Sequence, residues 1–348
     1  MTTYYEKYIK YKLKYLGLQK EADTNQIGGK PAKNRKKKYA VTTLLMINDE
    51  YMIGCIMLAQ SIRQFKESKK IDLICMVTPD ISAEAIRDLK QFYDRVVPVD
   101  YIQVDRSQIR HSQDKLKDIY SKTFTKINCL RFTEYKKVIM IDVDMLVVRK
   151  KFFTLFDVKT PAAPYVGCLV FYKKNILEIY KKEYSELEHG HLVPRKYYDM
   201  DCKSLYHKHN ITTMADLGID STIIILEPNL DDFNKLVAIV QSGKGTFKGD
   251  TNLFADYYRY RFHHIDMTFV GRWLNPDEHP EVSVIDLYGY SSKAWQIPNL
   301  HHIIEYSEVK YWIRKYIEYY EKIFKKKCKV KKVHELYNVY LERLNIKK

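Results

Sequence analysis

Two aspartates interrupt an apolar run. In KKVIMIDVDMLVV, residues 136–148, Asp142 and Asp144 stand between Val138 and Val148. Carboxylates in a hydrophobic strand are costly unless something neutralises them. Side chains alternate across a strand, so residues i and i+2 share a face and these two carboxylates converge. Partly desolvated like charges repel. A divalent cation resolves the repulsion, because Mg2+ or Mn2+ takes carboxylate oxygens and completes its shell with phosphate and water. The bland alternative is that both residues merely cap turns. A second Asp-x-Asp, Asp199-Met200-Asp201, lies in a polar stretch and reads as solvated surface. The chain has no G-x-x-x-x-G-K, G-x-G-x-x-G, G-x-S-x-G or H-E-x-x-H, so the usual phosphate-loop, dinucleotide, serine-hydrolase and zinc-protease signatures are absent.

The surrounding elements alternate. AVTTLLMI (40–47) reads as a buried strand, followed by a helix with Tyr51, Cys55, Leu58, Ile62 and Phe65 on one face. IDLICMVT (71–78) is a second strand, and Ser82 caps a helix carrying Ile86 and Leu89. RVVPV (95–99) is a short strand, and a helix near 124–134 leads into the aspartate strand. STIIILEP (221–228) is another strand, and DDFNKLVAIVQSG (231–243) is a helix with Phe233, Leu236, Val237 and Val240 inward, stopped by Gly243. Residues 172–215 are polar and Lys-rich and read as an insertion or helical excursion. Strand–helix alternation predicts an α/β fold with a parallel sheet and helices on both faces. Such sheets bind ligands at the carboxyl ends of their strands. Carboxylates and a metal there suggest a nucleotide diphosphate.

Charge is concentrated at the ends. The 348 residues carry a net charge of +16. Residues 1–38 hold 11 Lys/Arg against 3 acids and residues 310–348 hold 13 against 4, so the body is almost neutral. That argues against nucleic-acid binding as the main function, since such a domain displays its charge on the folded face that reads the ligand. Tyr5, Ile9, Leu13 and Leu16 have helical spacing within a basic segment, 4–18, which reads as a helix docking on the body or a partner, or else on a membrane surface. Residues 21–38 read as a flexible linker. The organisation expected is a basic helix and linker over 1–38, a catalytic body over 39–312 and a basic helical, Tyr-rich tail over 313–348. The six cysteines include no C-x-x-C, and four lie in or beside apolar runs, which suits reduced thiols and a cytoplasmic location. No apolar run is long enough for a membrane span, and the N-terminus lacks a secretory apolar stretch.

From Tyr39 to about Trp312 the chain resembles the glycogenin-like members of retaining glycosyltransferase family 8. AVTTLLMINDEYMIGCIMLAQSIRQF resembles the family's opening strand, its Asn-x-x-Tyr (Asn48, Tyr51) and the helix after it. TFTKINCLRFTEYKKVIMIDVDMLVV resembles its Thr-Lys helix and Asp-x-Asp strand. PAAPYVG (161–167), DSTIIILEPN (220–229) and FKGDTNLFADYY (247–258) follow in family order, and LHHIIEYSEVKYW (300–312) resembles the closing His…Lys-Pro-Trp segment.

The resemblance implies a GT-A, Rossmann-like mixed sheet that moves a sugar, glucose by family weight, from a UDP-sugar with retention, attack and departure sharing one face. It implies Mn2+, or Mg2+, held by Asp142, Asp144 and His302, with His301 the runner-up. Lys126 and Lys310 would supply positive charge at the sugar-phosphate, and Asp250 would contact the donor sugar near its reacting carbon. Leu45, Asn48, Tyr51, Val143, Asp142 and Asp144 would line the nucleotide site.

This chain departs from the family in the closing motif, where Tyr311 replaces Pro and the interval is longer, and at Asp220-Ser221-Thr222 and Asp250-Thr251. The partners implied are the UDP-sugar and a protein or glycan acceptor. A second copy of the chain, or an anionic surface met by the basic ends, is a further candidate; no specific nucleic acid is expected. Self-glycosylation at Tyr288 or Tyr290 is one acceptor reading. YYEKYIKYKLKYLGLQK is similar to leader segments of giant DNA virus proteins, which would place the chain in host cytoplasm or the virion. The competing classes are a non-catalytic nucleotide-sugar-binding or scaffold protein on the same fold, and a polyanion binder.

Overall fold

The computed structural model describes residues 37–111, 113–165, 176–199, 218–244, 247–272, 274–287, 293–296 and 306–343. They belong to one compact unit, Lys37–Lys348. The expected 4–18 helix, nearly all of the linker, Asp201, Tyr288, Tyr290, His301 and His302 lie outside the described residues.

The main sheet is built of β1 (Tyr39–Leu45), β2 (Ile71–Val77), β3 (Arg95–Pro98), β4 (Lys137–Ile141), β6 (Ala162–Pro164), β7 (Ile223–Leu226) and β8 (His263–Ile265). A second sheet holds β5 (Met145–Val147), β9 (Val270–Gly271) and β10 (Val284–Asp286). The main order is β3-β2-β1-β4-β7-β6-β8, and the second is β5-β10-β9. β3, β2, β1 and β4 run parallel, as the alternating pattern predicts. β7 runs against both β4 and β6, so the sheet is mixed rather than wholly parallel.

Alternation along the central strands separates two cores. On β4, Ile139 and Ile141 enter one core while Val138 and Met140 enter the other. β7 does the same, with Ile223 and Ile225 on one face and Ile224 and Leu226 on the opposite face. A strand buried on both faces reads as a continuous apolar run, which is why these segments show no polar alternation. Helices cover both faces. The first core contains α1 (Met52–Arg63) and α2 (Ala83–Leu89), and the second contains α5 (Leu230–Gln241) and α6 (Asp250–Tyr257). Between these in sequence lie α3 (Asp114–Lys122) and α4 (Ile176–Glu183).

Three expectations change. In α1 every residue from Met52 to Ile62 is buried, not just one face. The cause is position: the helix packs against β5 of the second sheet as well as against the main sheet. The apolar run 138–148 is also not one strand. β4 stops at Ile141 and β5 starts at Met145 in the other sheet, so Asp142 and Asp144 lie on the turn where the chain changes sheets. The segment expected as a helix near 124–134 is a 3-10 helix, Thr123–Arg131.

The C-terminal segment is helical, with α7 (Ser307–Tyr319) and α8 (Lys331–Arg343). Its rings enter the first core: Trp312, Tyr316, Phe324 and Tyr340 are fully buried. Trp312 stacks on Tyr316, with ring centroids 5.4 Å apart. The lysines of this segment stay outward while the tyrosines fill the interior.

Candidate active site

The turn after β4 is fixed by backbone bonds on both sides. Asp142 N donates to Thr222 O just before β7 (3.0 Å), and Leu287 N, just after β10, donates to Asp144 O (3.1 Å). Gly54 of α1 faces the turn. A Cβ there would lie 2.6 Å from the Val143 carbonyl oxygen and 2.7 Å from the Trp295 ring, so only glycine allows this approach. Val143 itself is partly buried against the first core, and Leu45 is buried at the end of β1.

Each aspartate is held by a buried lysine. Lys126 Nζ reaches Asp142 Oδ1 at 2.7 Å and Asp250 Oδ2 at 3.1 Å. Burial alone would lower the Lys126 pKa, but the charges of Asp142 and Asp250 outweigh it and hold the pKa raised. Burial pushes the Asp142 carboxyl up to about 7; Lys126 opposes the rise, while Asp144 and Asp250 add to it. Asp144 Oδ2 is bonded to the ammonium of Lys293, which also donates to Leu287 O. The side chains of Asp142 and Asp144 keep 22% and 19% of their exposure, so both remain reachable from solvent.

Asp250, at the start of α6, is itself anchored. Ser221 Oγ donates to Asp250 Oδ2 (2.8 Å) and pairs with Thr251 Oγ1 (2.6 Å), while Asp250 N donates to Thr123 Oγ1 (3.1 Å). A further buried guanidinium lies beside this group. Arg272 bridges Asp286 Oδ2 (2.6 Å) and Asp220 Oδ2 (2.5 Å). Burial raises the Asp286 carboxyl to about 6; Arg272 opposes this and the charge of Asp144 adds to it.

Asn48 and Tyr51 lie immediately before α1. Asn48 accepts from Glu50 N (2.8 Å) and caps the short 3-10 helix Asp49–Tyr51. Tyr51 meets Trp295 edge-on, ring centroids 5.5 Å apart. Burial, then the charges of Asp144 and Glu50, raise the Tyr51 pKa. Just before Asn48, Ile47 adopts φ 75°, a conformation costly for a β-branched residue. Its N–H is held by Tyr101 Oη (3.0 Å) and Thr78 Oγ1 (3.3 Å).

The structure thus brings together Lys126, Asp142, Asp144 and Asp250, with Tyr51 adjoining through the field of Asp144. Lys310 is exposed on α7, and the lysine on Asp144 is Lys293. The sequence contained the signal: Lys-x-Trp occurs twice, at Lys293-Ala294-Trp295 and Lys310-Tyr311-Trp312. Arg272 and Asp286 carried no comparable signal. The donor set suits a hard divalent cation, since two carboxylates plus substrate phosphate are the usual complement for Mg2+ or Mn2+. Among the described residues no group of three His, Cys, Asp or Glu is arranged to hold a metal, and the expected third ligand, His302, lies outside them.

A mixed α/β sheet thus gathers carboxylates and lysines at the carboxyl end of β4. The chain matches the Glycosyl transferase family 8 model over residues 42–198, rather less than half of its length. It is 31% identical over 125 residues to Uncharacterized protein R707 of Acanthamoeba polyphaga mimivirus, covering 36% of this chain and 42% of that protein. It is 24% identical over 230 residues to glycogenin of Neurospora crassa, covering 65% of this chain and 26% of that protein. Against galactinol synthase 6 of Arabidopsis thaliana it is 22% identical over 292 residues, covering 82% of this chain and 81% of that one. The chain therefore spans less than half the length of the first two relatives. The galactosyltransferase LgtC, solved with donor and acceptor sugar analogs, has a TM-score of 0.45 at 12% identity, covering 79% of this chain and 94% of that one. Among the described residues no helix is long and apolar enough to cross a membrane, and Cys55, Cys75, Cys129 and Cys328 are free thiols.

Proposed function

We propose that this chain is a retaining glycosyltransferase that moves a hexose, glucose in the first instance, from a UDP-sugar to a protein or glycan acceptor. The observation that carries the reading is the Lys126 ammonium, buried between Asp142 on the β4–β5 turn and Asp250 at the head of α6. One charge network thereby joins the family's Asp-x-Asp to the acid expected at the donor sugar. Lys126 fixes both carboxylates, and Ser221 aims Asp250. A preorganised charge in a dry site stabilises developing charge without reorganising during the reaction.

Asp142 and Asp144, with His302, would hold Mn2+ or Mg2+. When bound, such an ion supplies Lewis-acid neutralisation of the departing diphosphate. Lys126 holds the carboxylates in place, and Tyr51 with Asn48 forms the nucleoside end. For the phosphate side, Lys293, which the sequence reading did not single out, is favoured over the expected Lys310 because it is the lysine on Asp144. The mimivirus relative supports a viral origin, and with it host cytoplasm or the virion as the place of action.

A non-catalytic nucleotide-sugar-binding role is the second reading. It draws on the fact that Asp142, Asp144, Asp220, Asp250 and Asp286 each have a protein cation as partner. A UDP-sugar panel with Mn2+, with and without acceptor, decides between the two. Release of UDP from one donor supports transfer, and binding of UDP without release from any donor supports the second reading.

A further inference from the structure

Lys293 and Lys126 both neutralise an aspartate of the turn, but their surroundings differ. Lys126 lies between two carboxylates, Asp142 and Asp250, so it keeps an anionic partner whatever happens to one of them. Among the described residues Lys293 is bonded to one carboxylate, Asp144, and one backbone carbonyl, that of Leu287, with Asp286 near enough to feel its charge but not bonded to it. Lys293 is 3% exposed, whereas the Asp144 side chain keeps 19% of its exposure. The ammonium thus meets the carboxylate from the protein side, leaving the solvent side of Asp144 open.

An ammonium and a divalent ion on one carboxylate in a partly dry site repel each other strongly. We infer that Lys293 is the resident counter-ion of Asp144 and that Lys293 and a divalent cation exclude each other at this carboxylate, so that cation entry expels the Lys293 ammonium while Lys126 stays in place. The inference rests on the reading of this turn as a metal-assisted sugar-transfer site. Its physical content is an exchange of one cation for another. Without the ion, Lys293 keeps the repelling carboxylates compatible with a folded, closed turn. With the ion, the ammonium gives up its one bonded carboxylate among the described residues, whereas Lys126 is bonded to two. The asymmetry identifies the lysine that moves.

Mn2+ binding by the full chain, measured by electron paramagnetic resonance without any nucleotide, tests this. Lys293→Met should bind Mn2+ at least tenfold more tightly than the wild type, because its Asp144 has no competing ammonium. Asp144→Asn should bind at least tenfold more weakly. Equal or weaker binding by Lys293→Met, or no Mn2+ binding by either protein, overturns the inference.

A second measurement needs no variant at this position to be stable. In wild-type protein labelled with 15N-lysine, the Lys293 ammonium resonance should shift or vanish as Mg2+ saturates the protein, while that of Lys126 persists. A Lys293 signal unchanged at saturation overturns the exchange. The donor panel reads the function separately. Tighter Mn2+ binding in Lys293→Met without UDP release from any donor would keep the exchange and remove the transfer reading. UDP release with unaltered Mn2+ affinity would do the reverse.

Discussion

Gly54 and Val143 touch through empty space: the α-carbon of one faces the carbonyl oxygen of the other at a distance where a methyl group would sit 2.6 Å from that oxygen. Helix α1 therefore supports the back of the aspartate turn. Gly54→Ala should push this turn outward or tilt the helix. Overpacking of this kind costs about 1–3 kcal/mol. Urea denaturation should show that loss, and UDP affinity should fall with it. A variant as stable as the wild type with unchanged UDP binding would show that the turn tolerates displacement.

Asp144→Asn keeps the shape of the side chain and removes its charge. It should cost roughly 3 kcal/mol of transition-state stabilisation, the scale of losing one electrostatic stabiliser, or about a hundredfold in rate. Asp201→Asn, at the polar Asp-x-Asp, should leave turnover unchanged. Full Mn2+-dependent turnover in Asp144→Asn, measured as UDP release, would show that the wrong aspartate has been chosen.

Glu308, on the first turn of α7, is fully buried. Burial, with the charge of Asp286 adding to it, raises its carboxyl from 4.5 to about 7. The folded form therefore favours the protonated acid. This contribution is complete below the unfolded value and is lost as pH rises through about 7. Glu308→Gln, which stays neutral, should become more stable relative to the wild type as pH rises from 5 to 8, by on the order of 3 kcal/mol. Urea midpoints at the two pH values measure this; a constant difference between the proteins would contradict it.

Ile47 pays for its left-handed backbone, and such a conformation costs an L-residue about 1–2 kcal/mol. Asparagine tolerates this region better. Ile47→Asn should therefore raise stability by about 1 kcal/mol, and thermal unfolding reads the gain. A loss of stability would mean that the half-buried isoleucine side chain contributes more than the strain removes.

The parts legible in the sequence were those whose physics is local. β1, β2, β4 and β7 announced themselves as apolar runs, since strands buried on both faces show no alternation. The break between β4 and β5 did not, because Met145, Leu146 and Val147 are as apolar as the strand before them, so Asp142 and Asp144 read as polar positions within one strand rather than as a change of sheet. Asp142, Lys126 and Asp250 were found through an ordered family pattern, and the structure joins them. Lys293 was missed because Lys293-Ala294-Trp295 lies outside the segment that resembles the closing motif, residues 300–312, and only the fold brings it to Asp144. Arg272 and Asp286 look like ordinary solvated charges until the chain folds and buries both.

The pairing of Asp144 with Lys293 spans 149 residues of chain. During synthesis at about 5–20 residues per second, Asp144 is made roughly 7–30 s before its lysine. For that interval the nascent turn has neither its ammonium partner nor β10, the neighbouring strand of β5. Closure of the second sheet therefore comes late in biogenesis, and a ribosome stalled between the two residues would expose a chain whose first core has begun to form around an uncompensated carboxylate.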